Sequence, residues 1–187
     1  MAETHDPITP AFAAFLAAQP VFFVASAAAG ARVNLSPKGQ DSLRVLDARH
    51  VAYLDFTGSG AETAAHLKAD GRIVLMACAF EGPPQILRLW GRGQTLWRDT
   101  PEHAALLPRF GEAAAHPGIR AIIRIAVEAA KTSCGYAVPM MRLEKPRNGL
   151  TRWAAKQGEA ALAEYRRENN AMSLDGLPTG LPPEVPS

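Results

Sequence analysis

A loop between a strand-like and a helix-like segment carries the residues best suited to chemistry. It spans residues 55–63, with the sequence Asp-Phe-Thr-Gly-Ser-Gly-Ala-Glu-Thr. Backbone N–H groups at a helix start, flanked by the hydroxyls of Thr57, Ser59 and Thr63, form a receptor for a phosphate group. The same spacing matches a capping box, in which Ser59 and Glu62 satisfy the helix start themselves. The two interpretations are compatible, so the loop predicts a helix start and a candidate phosphate site.

A phosphate site also needs a cation, and two side chains are candidates. Lys38 follows Pro37 at the end of a strand-like segment, and Arg88 lies on a later strand-like segment beside Trp90. Lysine and arginine are the usual phosphate partners, although each could equally be a solvated surface charge. The loop lacks the Gly-x-x-x-x-Gly-Lys-Ser/Thr pattern, so ATP hydrolysis is not indicated.

The spacing of the other reactive residues does not indicate a further reaction centre. The five histidines are scattered without metal-ligand spacing, so no metal is predicted. Ser133 and Cys134 lack the context of a nucleophile, and no pair of carboxylates is placed for acid–base work.

The elements that position the loop are mainly strands. Thr9 and Pro10 begin a short helix that reaches Gln19, and a second helix is predicted over 61–70. Apolar, strand-prone segments separated by turn residues cover 21–26, 32–35, 43–46, 51–56, 72–80 and 85–98, with a break at 36–39. In the last of these, Gly91 and Gly93 indicate a bulge or a close backbone approach. Such close spacing favours antiparallel connections and a β-barrel with peripheral helices.

The second half of the chain adds two predicted helices and one strand. Apolar residues recur at helical spacing over 119–130, which predicts an amphipathic helix with Arg120 outside the apolar stripe. Residues 136–143 are expected to return as a strand. A C-terminal helix, or a pair broken around Gly158, precedes a tail rich in proline and glycine.

Composition limits the class of protein. The chain has 187 residues, of which 48% are hydrophobic and 20% charged, enough for one globular core. A net charge of +2 does not favour nucleic acid, and no apolar run reaches the roughly 18 residues of a membrane span. The acidic N-terminus does not resemble a secretory signal, so a cytoplasmic protein is expected. The predicted units are an N-terminal helix (1–19), a barrel with inserted helices (20–146) and a C-terminal helical segment with its tail (147–187).

An ordered set of segments resembles a known family. The segments are 22–26, 33–39, 52–60, 62–67, 78–84 and 87–93, and together they resemble the pyridoxamine 5′-phosphate oxidase-like, FMN-binding split-barrel proteins. The resemblance covers residues 20–98 and extends through 133–136 and 175–181 to a subgroup of that family. It implies a six-stranded antiparallel split β-barrel that forms a homodimer, with one FMN at each of two equivalent interface sites.

The resemblance also implies roles for individual residues. Asn34, Ser36 and Lys38 would lie along the flavin. The ribityl phosphate would be surrounded by the loop, assisted by Lys38 or Arg88, so that the implied cofactor-binding set is Asn34, Ser36, Lys38, Thr57, Gly58, Ser59, Thr63 and Arg88. The loop lacks the family oxidase's Ser-Arg-Lys run and the chain lacks its terminal Arg-Leu-x-Pro segment. Pyridoxamine or pyridoxine phosphate is therefore not the expected substrate.

The sequence thus leads to an FMN-dependent oxidoreductase that acts on an unidentified small molecule, with NAD(P)H as the candidate reductant. A flavin performs its own hydride and electron chemistry, so a missing catalytic base is unsurprising. Two alternatives stay open. One is a non-catalytic protein that binds flavin, haem or a deazaflavin, and the other is a structural dimer whose loop only caps a helix.

Overall fold

The computed structural model describes residues 4–5 and 8–183. Its strands are β1 (Thr4–His5), β2 (Phe22–Ser26), β3 (Asn34–Lys38), β4 (Leu43–Asp47), β5 (His50–Phe56), β6 (Arg72–Cys78), β7 (Ile86–Trp97) and β8 (Ile119–Ser133). Its helices are α1 (Pro10–Ala18), α2 (Glu62–Ala69), α3 (Pro101–Leu106) and α4 (Gly149–Asn170), with a 3-10 segment (Leu107–Ala115) after α3. No helix among the described residues is long and apolar enough to cross a membrane.

All strands belong to one antiparallel sheet, in the order β3-β2-β6-β7-β8-β5-β4, with the two-residue β1 paired to β8. The sheet curls around an apolar core that includes Val24, Leu75, Leu89 and Ile125. Helix α1 covers this core with Phe12 and Leu16. It begins as predicted, because the Thr9 hydroxyl accepts a hydrogen bond from the Phe12 N–H at 3.2 Å.

The curled sheet is the predicted split barrel, with seven long strands where six were expected. The additional strand is β8, because the helix predicted over 119–130 is wrong. Ile123 packs in the barrel core, whereas Ile122 packs on the other face with Phe110 of the 3-10 segment. Burial on both faces produces a continuous apolar run, which imitates a helical stripe in the sequence.

Two further predictions need correction. Residues 136–143 do not form a strand, because Gly135 turns the chain at a φ of 66° and Pro139 has no N–H to donate. The break predicted at 36–39 is also wrong, because β3 runs through Pro37 to Lys38. It can do so because β3 is an edge strand, where a missing donor costs little.

Glycines account for two irregularities that were predicted. The register of β7 against β8 shifts between Trp90 and Gly91. A Cβ on Gly91 would lie 2.9 Å from the carbonyl carbon of Ala126 and closer still to its oxygen, so the close approach is confirmed. Helix α4 is kinked at Gly158, whose φ is 74° and ψ is 168°.

Candidate functional site

The start of α2 has no side-chain cap, so the predicted capping box is wrong. Ala61 occupies the N-cap position, Ser59 is exposed, and no side chain of the described residues caps the first turn. The Glu62 carboxylate instead accepts from the Leu174 N–H, at 3.0 and 3.2 Å to its two oxygens. The N–H groups of this helix start therefore keep their capacity to donate to an anion.

Polar side chains of β3 line one side of this helix start. Asn34, Ser36 and Lys38 share a face because side chains alternate along a strand. The Asn34 side-chain amide donates to the Thr63 hydroxyl at 3.1 Å, and the Ser36 hydroxyl donates to the side-chain Oδ1 of Asn34 at 3.2 Å. The structure thus brings three predicted site residues together with Thr63 of α2.

Below this row lies a buried ion cluster. The Lys38 ammonium is 3.0 Å from one oxygen of Asp55, and the Arg120 Nε is 2.7 Å from the other. Burial raises the pKa of Asp55, but the charges and hydrogen bonds of Arg120 and Lys38 outweigh it and lower that pKa to about 2. Asp55 is therefore ionised at neutral pH, and Lys38 is not an unengaged cation.

The loop itself is held from below by side chains far away in the sequence. Arg120 donates to the Gly60 carbonyl at 2.8 Å and to the side-chain oxygen of Asn170 at 2.7 Å. The Asn170 amide in turn donates to the Gly58 carbonyl at 2.8 Å. These bonds fix the carbonyl groups of Gly58 and Gly60, while the Ser59 side chain between them is exposed to solvent.

Thr57 also anchors the loop. Its hydroxyl is fully buried and accepts a hydrogen bond from the Arg166 Nε of α4 at 2.9 Å. The other hydroxyls of the predicted set differ: Ser59 is exposed, and Thr63 is bonded to Asn34. Thr57 thus secures the loop to α4.

The tail packs against the same site. Residues 171–180 form a hairpin, the tail hairpin, in which Met172 pairs with Pro178. The Asp175 carboxylate binds the backbone N–H and the guanidinium of Arg32, at the start of the β3 region. Together with the Glu62 bond to Leu174, this contact ties the tail hairpin to α2 and to the segment that leads into β3.

Arg88 is not brought to the loop within one chain. It lies on the outer face of the sheet, opposite Lys131, and donates to the Ser133 hydroxyl at 3.2 Å. Phe56, at the start of the loop, pairs with Ile119 at the other end of β8. Lys131 and Ile119 are separated by about 40 Å of strand, at about 3.3 Å per residue.

The hydroxyl of Tyr53 is a buried polar atom close to Lys38 and Asp55. Its side chain is fully buried, and its hydroxyl has no hydrogen-bond partner of good geometry among the described residues. Burial, and next the charge of Asp55, raise the pKa of Tyr53 well above its usual value. Tyr53 is therefore neutral, and the Lys38 ammonium lies 5.5 Å from its ring centre.

The polar row of β3 and the start of α2, together called the groove below, fit a phosphorylated polar ligand. The uncapped N–H groups of α2 and the exposed Ser59 hydroxyl can donate to phosphate oxygens, and Asn34 and Ser36 offer donors and acceptors to a polyol or a heterocycle. Charge is nearly balanced, since Asp55 and Glu62 oppose Lys38 and Arg120. Sequence reasoning missed Arg120, Arg166 and Asn170, because contacts over 60 to 112 positions leave no local signal.

A curled antiparallel sheet with peripheral helices defines the split-barrel class of proteins. The sequence model described as pyridoxamine 5′-phosphate oxidase matches residues 8–134. A relative from Aspergillus flavus, the pyridoxamine 5′-phosphate oxidase family protein ustO, is 38% identical over 178 residues, covering 86% of this chain and 70% of the relative. The chain belongs to the pyridoxamine 5′-phosphate oxidase family.

Solved structures agree on the fold. A variant of HupZ from Group A Streptococcus superposes with a TM-score of 0.54 at 23% identity, covering 67% of this chain and 99% of HupZ. An FMN-binding protein from Syntrophomonas wolfei superposes with a TM-score of 0.50 at 13% identity, covering 70% of this chain and 84% of the other. These similarities establish the split-barrel fold and leave the ligand to be argued from the site.

Proposed function

We propose that the protein is a homodimeric, FMN-binding oxidoreductase that acts on a small molecule. The observation that carries the proposal is the uncapped start of α2 beside the polar row of β3, in a chain of this family. The family resemblance and the fold shared with an FMN-binding protein support the choice of FMN among phosphorylated ligands.

In this proposal the phosphate of FMN is held by the helix start. The N–H groups of the first turn of α2 and the Ser59 hydroxyl donate to it, and Thr63 fixes Asn34 in place. Gly58, which has no side chain, lets the loop backbone approach the phosphate closely. Thr57 keeps the loop attached to α4. Asn34, Ser36 and Lys38 then face the ribityl chain and the ring.

A second copy of the chain would supply the cation that the loop lacks. Arg88 and Lys131 lie side by side on the outer face of the sheet. Next to them, the cross-strand row of Leu35, Ala25, Val74 and Trp90 is apolar. Leu35 is 66% exposed in the single chain, so its side chain is accessible to a partner. Pairing two copies through this face would bury the row and move Arg88 toward the partner's groove.

When bound, FMN supplies hydride and electron transfer. The chain's own residues bind it, orient it and exclude water. Two titratable groups beside the loop have shifted pKa values. The pKa of Asp55 is lowered and that of Tyr53 is raised, so both lie farther from pH 7 than usual. Neither exchanges a proton at neutral pH, so the substrate or solvent provides the proton. A nicotinamide nucleotide, NADH or NADPH, is the proposed reductant.

The same observation favours a second candidate, a protein that binds FMN without turnover. The two are distinguished by reducing the bound flavin anaerobically with NADH or NADPH and following its reoxidation by candidate acceptors. Bleaching by one nucleotide, with reoxidation faster than that of free FMN, supports the enzyme. Retained flavin that reacts no faster than free FMN supports the binding protein.

The phosphate assignment is tested with a double variant, Ser59→Ala and Thr63→Ala. The Ser59 change removes a hydrogen bond to a charged group, worth about 1.5–3 kcal/mol, and the Thr63 change releases Asn34. The FMN dissociation constant should therefore rise at least tenfold. Thr132→Ala, on β8 away from the groove, is the matched hydroxyl control. Unchanged affinity in a correctly folded double variant would overturn the assignment.

A further inference from the structure

A segment without regular structure, residues 134–148, connects the end of β8 to α4 and is called the arm below. All of its last ten residues are exposed. The Met141 N–H donates to the Phe80 carbonyl at 2.9 Å, and the Gln40 side-chain amide donates to the Arg147 carbonyl at 2.9 Å. The arm is therefore attached to its own chain at defined points without being buried there.

Large apolar side chains of the arm face solvent. The exposed fractions are 82% for Tyr136, 81% for Met140, and 57% each for Met141 and Leu143. Exposed apolar side chains that lie close together mark a surface that binds another molecule. Tyrosine, methionine and arginine are enriched in interfaces between proteins, and the arm also carries Arg142 and Arg147. This composition favours another protein surface as the partner of the arm.

Tyr136 is presented in a fixed position. It follows Gly135, which is buried so closely against Gln85 that an added Cβ would lie 2.9 Å from the Gln85 nitrogen. The Val138 N–H donates to the Gly135 carbonyl at 2.9 Å and closes the turn that holds Tyr136. A group that is ordered before binding loses less conformational entropy when it binds. Tyr136 is therefore suited to anchor a contact between chains.

The outer face of the sheet offers an apolar surface to such an arm. It consists of two cross-strand rows, the Trp90 row of Leu35, Ala25, Val74 and Trp90 and the Phe23 row of Pro37, Phe23 and Met76. Leu35 and Pro37 are exposed, and the other side chains of the two rows are only half-buried. A cavity of about 360 Å³ with a mainly apolar lining opens beside Val74 and Trp90. Both rows are therefore accessible to a second chain.

The arm leaves the sheet at the rim of this face. Ser133 is the last residue of β8, and its hydroxyl accepts a hydrogen bond from Arg88, which continues the Phe23 row. The face is the one through which two copies pair in the proposed function. In a two-fold dimer each copy presents the same surfaces to the other, so the arm of one chain borders the outer face of its partner.

We propose that the arm of each chain packs on the outer sheet face of a second copy, with Tyr136 and Met140 against the partner's Trp90 row. The inference rests on the homodimer of the proposed function. Because the arm begins beside Arg88, it approaches the partner's groove together with that arginine. Leu35 alternates along β3 with Asn34 and Ser36, so the arm adds apolar side chains beside a groove whose own row is polar.

Photo-cross-linking tests the contact in the full chain. The chain with p-benzoylphenylalanine in place of Met140 is mixed with ¹⁵N-labelled parent chain, left to exchange subunits and irradiated. Mass spectrometry should find a product of twice 20.0 kDa that joins an unlabelled arm peptide to a labelled peptide containing Val74 or Trp90. The same probe in place of Met172, a methionine of the tail hairpin that is 52% exposed, should not give this product.

Two other results of this experiment would overturn the proposal. Cross-links found only within one chain would show that the arm packs on its own chain. No product joining two chains, as expected if the arm serves a different protein, would also contradict the contact with a second copy.

Substitutions measure what the arm contributes to the dimer. Tyr136→Asp and Met140→Asp change exposed side chains, so the variants should fold, and each should raise the dimer dissociation constant at least tenfold in sedimentation measured over a dilution series. Met172→Asp is the matched control and should leave it unchanged. A monomeric parent chain would overturn the homodimer and the arm contact together. A dimer that neither arm variant weakens would overturn the arm contact alone and leave the proposed FMN site standing.

Discussion

Lys38 and Asp55 form an ion pair between two strands that are not neighbours in the sheet. Lys38 ends β3, the first strand in the order, and Asp55 lies near the end of β5, the sixth. Their contact at 3.0 Å is possible because the sheet curls until its two ends approach. The pair therefore joins the edge strand β3 to β5, the neighbour of the other edge strand β4, directly below the loop that leads into α2.

Replacing Asp55 by Asn should destabilise the protein strongly. The change leaves Lys38 and the buried Arg120 without their shared carboxylate, and breaking a buried ion pair costs about 3–5 kcal/mol. Urea unfolding measures the loss. Asp41→Asn removes an exposed carboxylate from Arg44 and should cost less than about 1 kcal/mol. Equal losses of unfolding free energy in the two variants would show that the buried ion cluster stabilises the protein no more than the exposed pair does.

The same carboxylate predicts how stability depends on pH. The pKa of Asp55 is lowered from 3.8 to about 2 in the folded protein. Its contribution, roughly 2 kcal/mol, is complete above the unfolded value and is lost as the pH falls through the folded value. Unfolding free energy measured between pH 5 and pH 2 should fall less steeply in Asp55→Asn. Parallel curves for the two proteins would contradict the assignment.

Most of the barrel could be predicted from the sequence, and most of the loop's support could not. Strands between residues 21 and 98 are separated by turn residues, so each is visible locally. Ser59 and Thr63 stand out because hydroxyls cluster at a helix start. Arg120 was expected on a helix, and it reaches Asp55 over 65 positions only because β8 is a strand beside β5. Such contacts depend on topology, which no local pattern encodes.

Glycine at position 91 should be required by the bulge between β7 and β8. A methyl group there would meet the Ala126 carbonyl, so the backbones would have to separate. We expect Gly91→Ala to cost about 3 kcal/mol in thermal or urea unfolding. Gly149→Ala, where a Cβ meets no atom within 4 Å, should be neutral or slightly stabilising. A Gly91→Ala protein as stable as the parent would show that the sheet absorbs the contact.

The proposed dimer face predicts the effect of a charge at position 35. Leu35→Lys removes little packing from one chain, because Leu35 is 66% exposed, but it would put two ammonium groups into the apolar row of a dimer. Light scattering after gel filtration should give twice 20.0 kDa for the parent and 20.0 kDa for the variant. Leu174→Lys, 77% exposed on the tail hairpin, should stay dimeric. A Leu35→Lys dimer would place the interface elsewhere.

The most direct test of the central claim compares FMN with riboflavin, which differs only in lacking the phosphate. Fluorescence titration of the purified, flavin-free protein gives both dissociation constants. If the start of α2 holds the phosphate, FMN should bind one per chain and at least about 100-fold more tightly than riboflavin, as expected for two or more charge-assisted hydrogen bonds. Equal affinities for the two flavins, or binding of neither, would contradict the phosphate site and the function proposed from it.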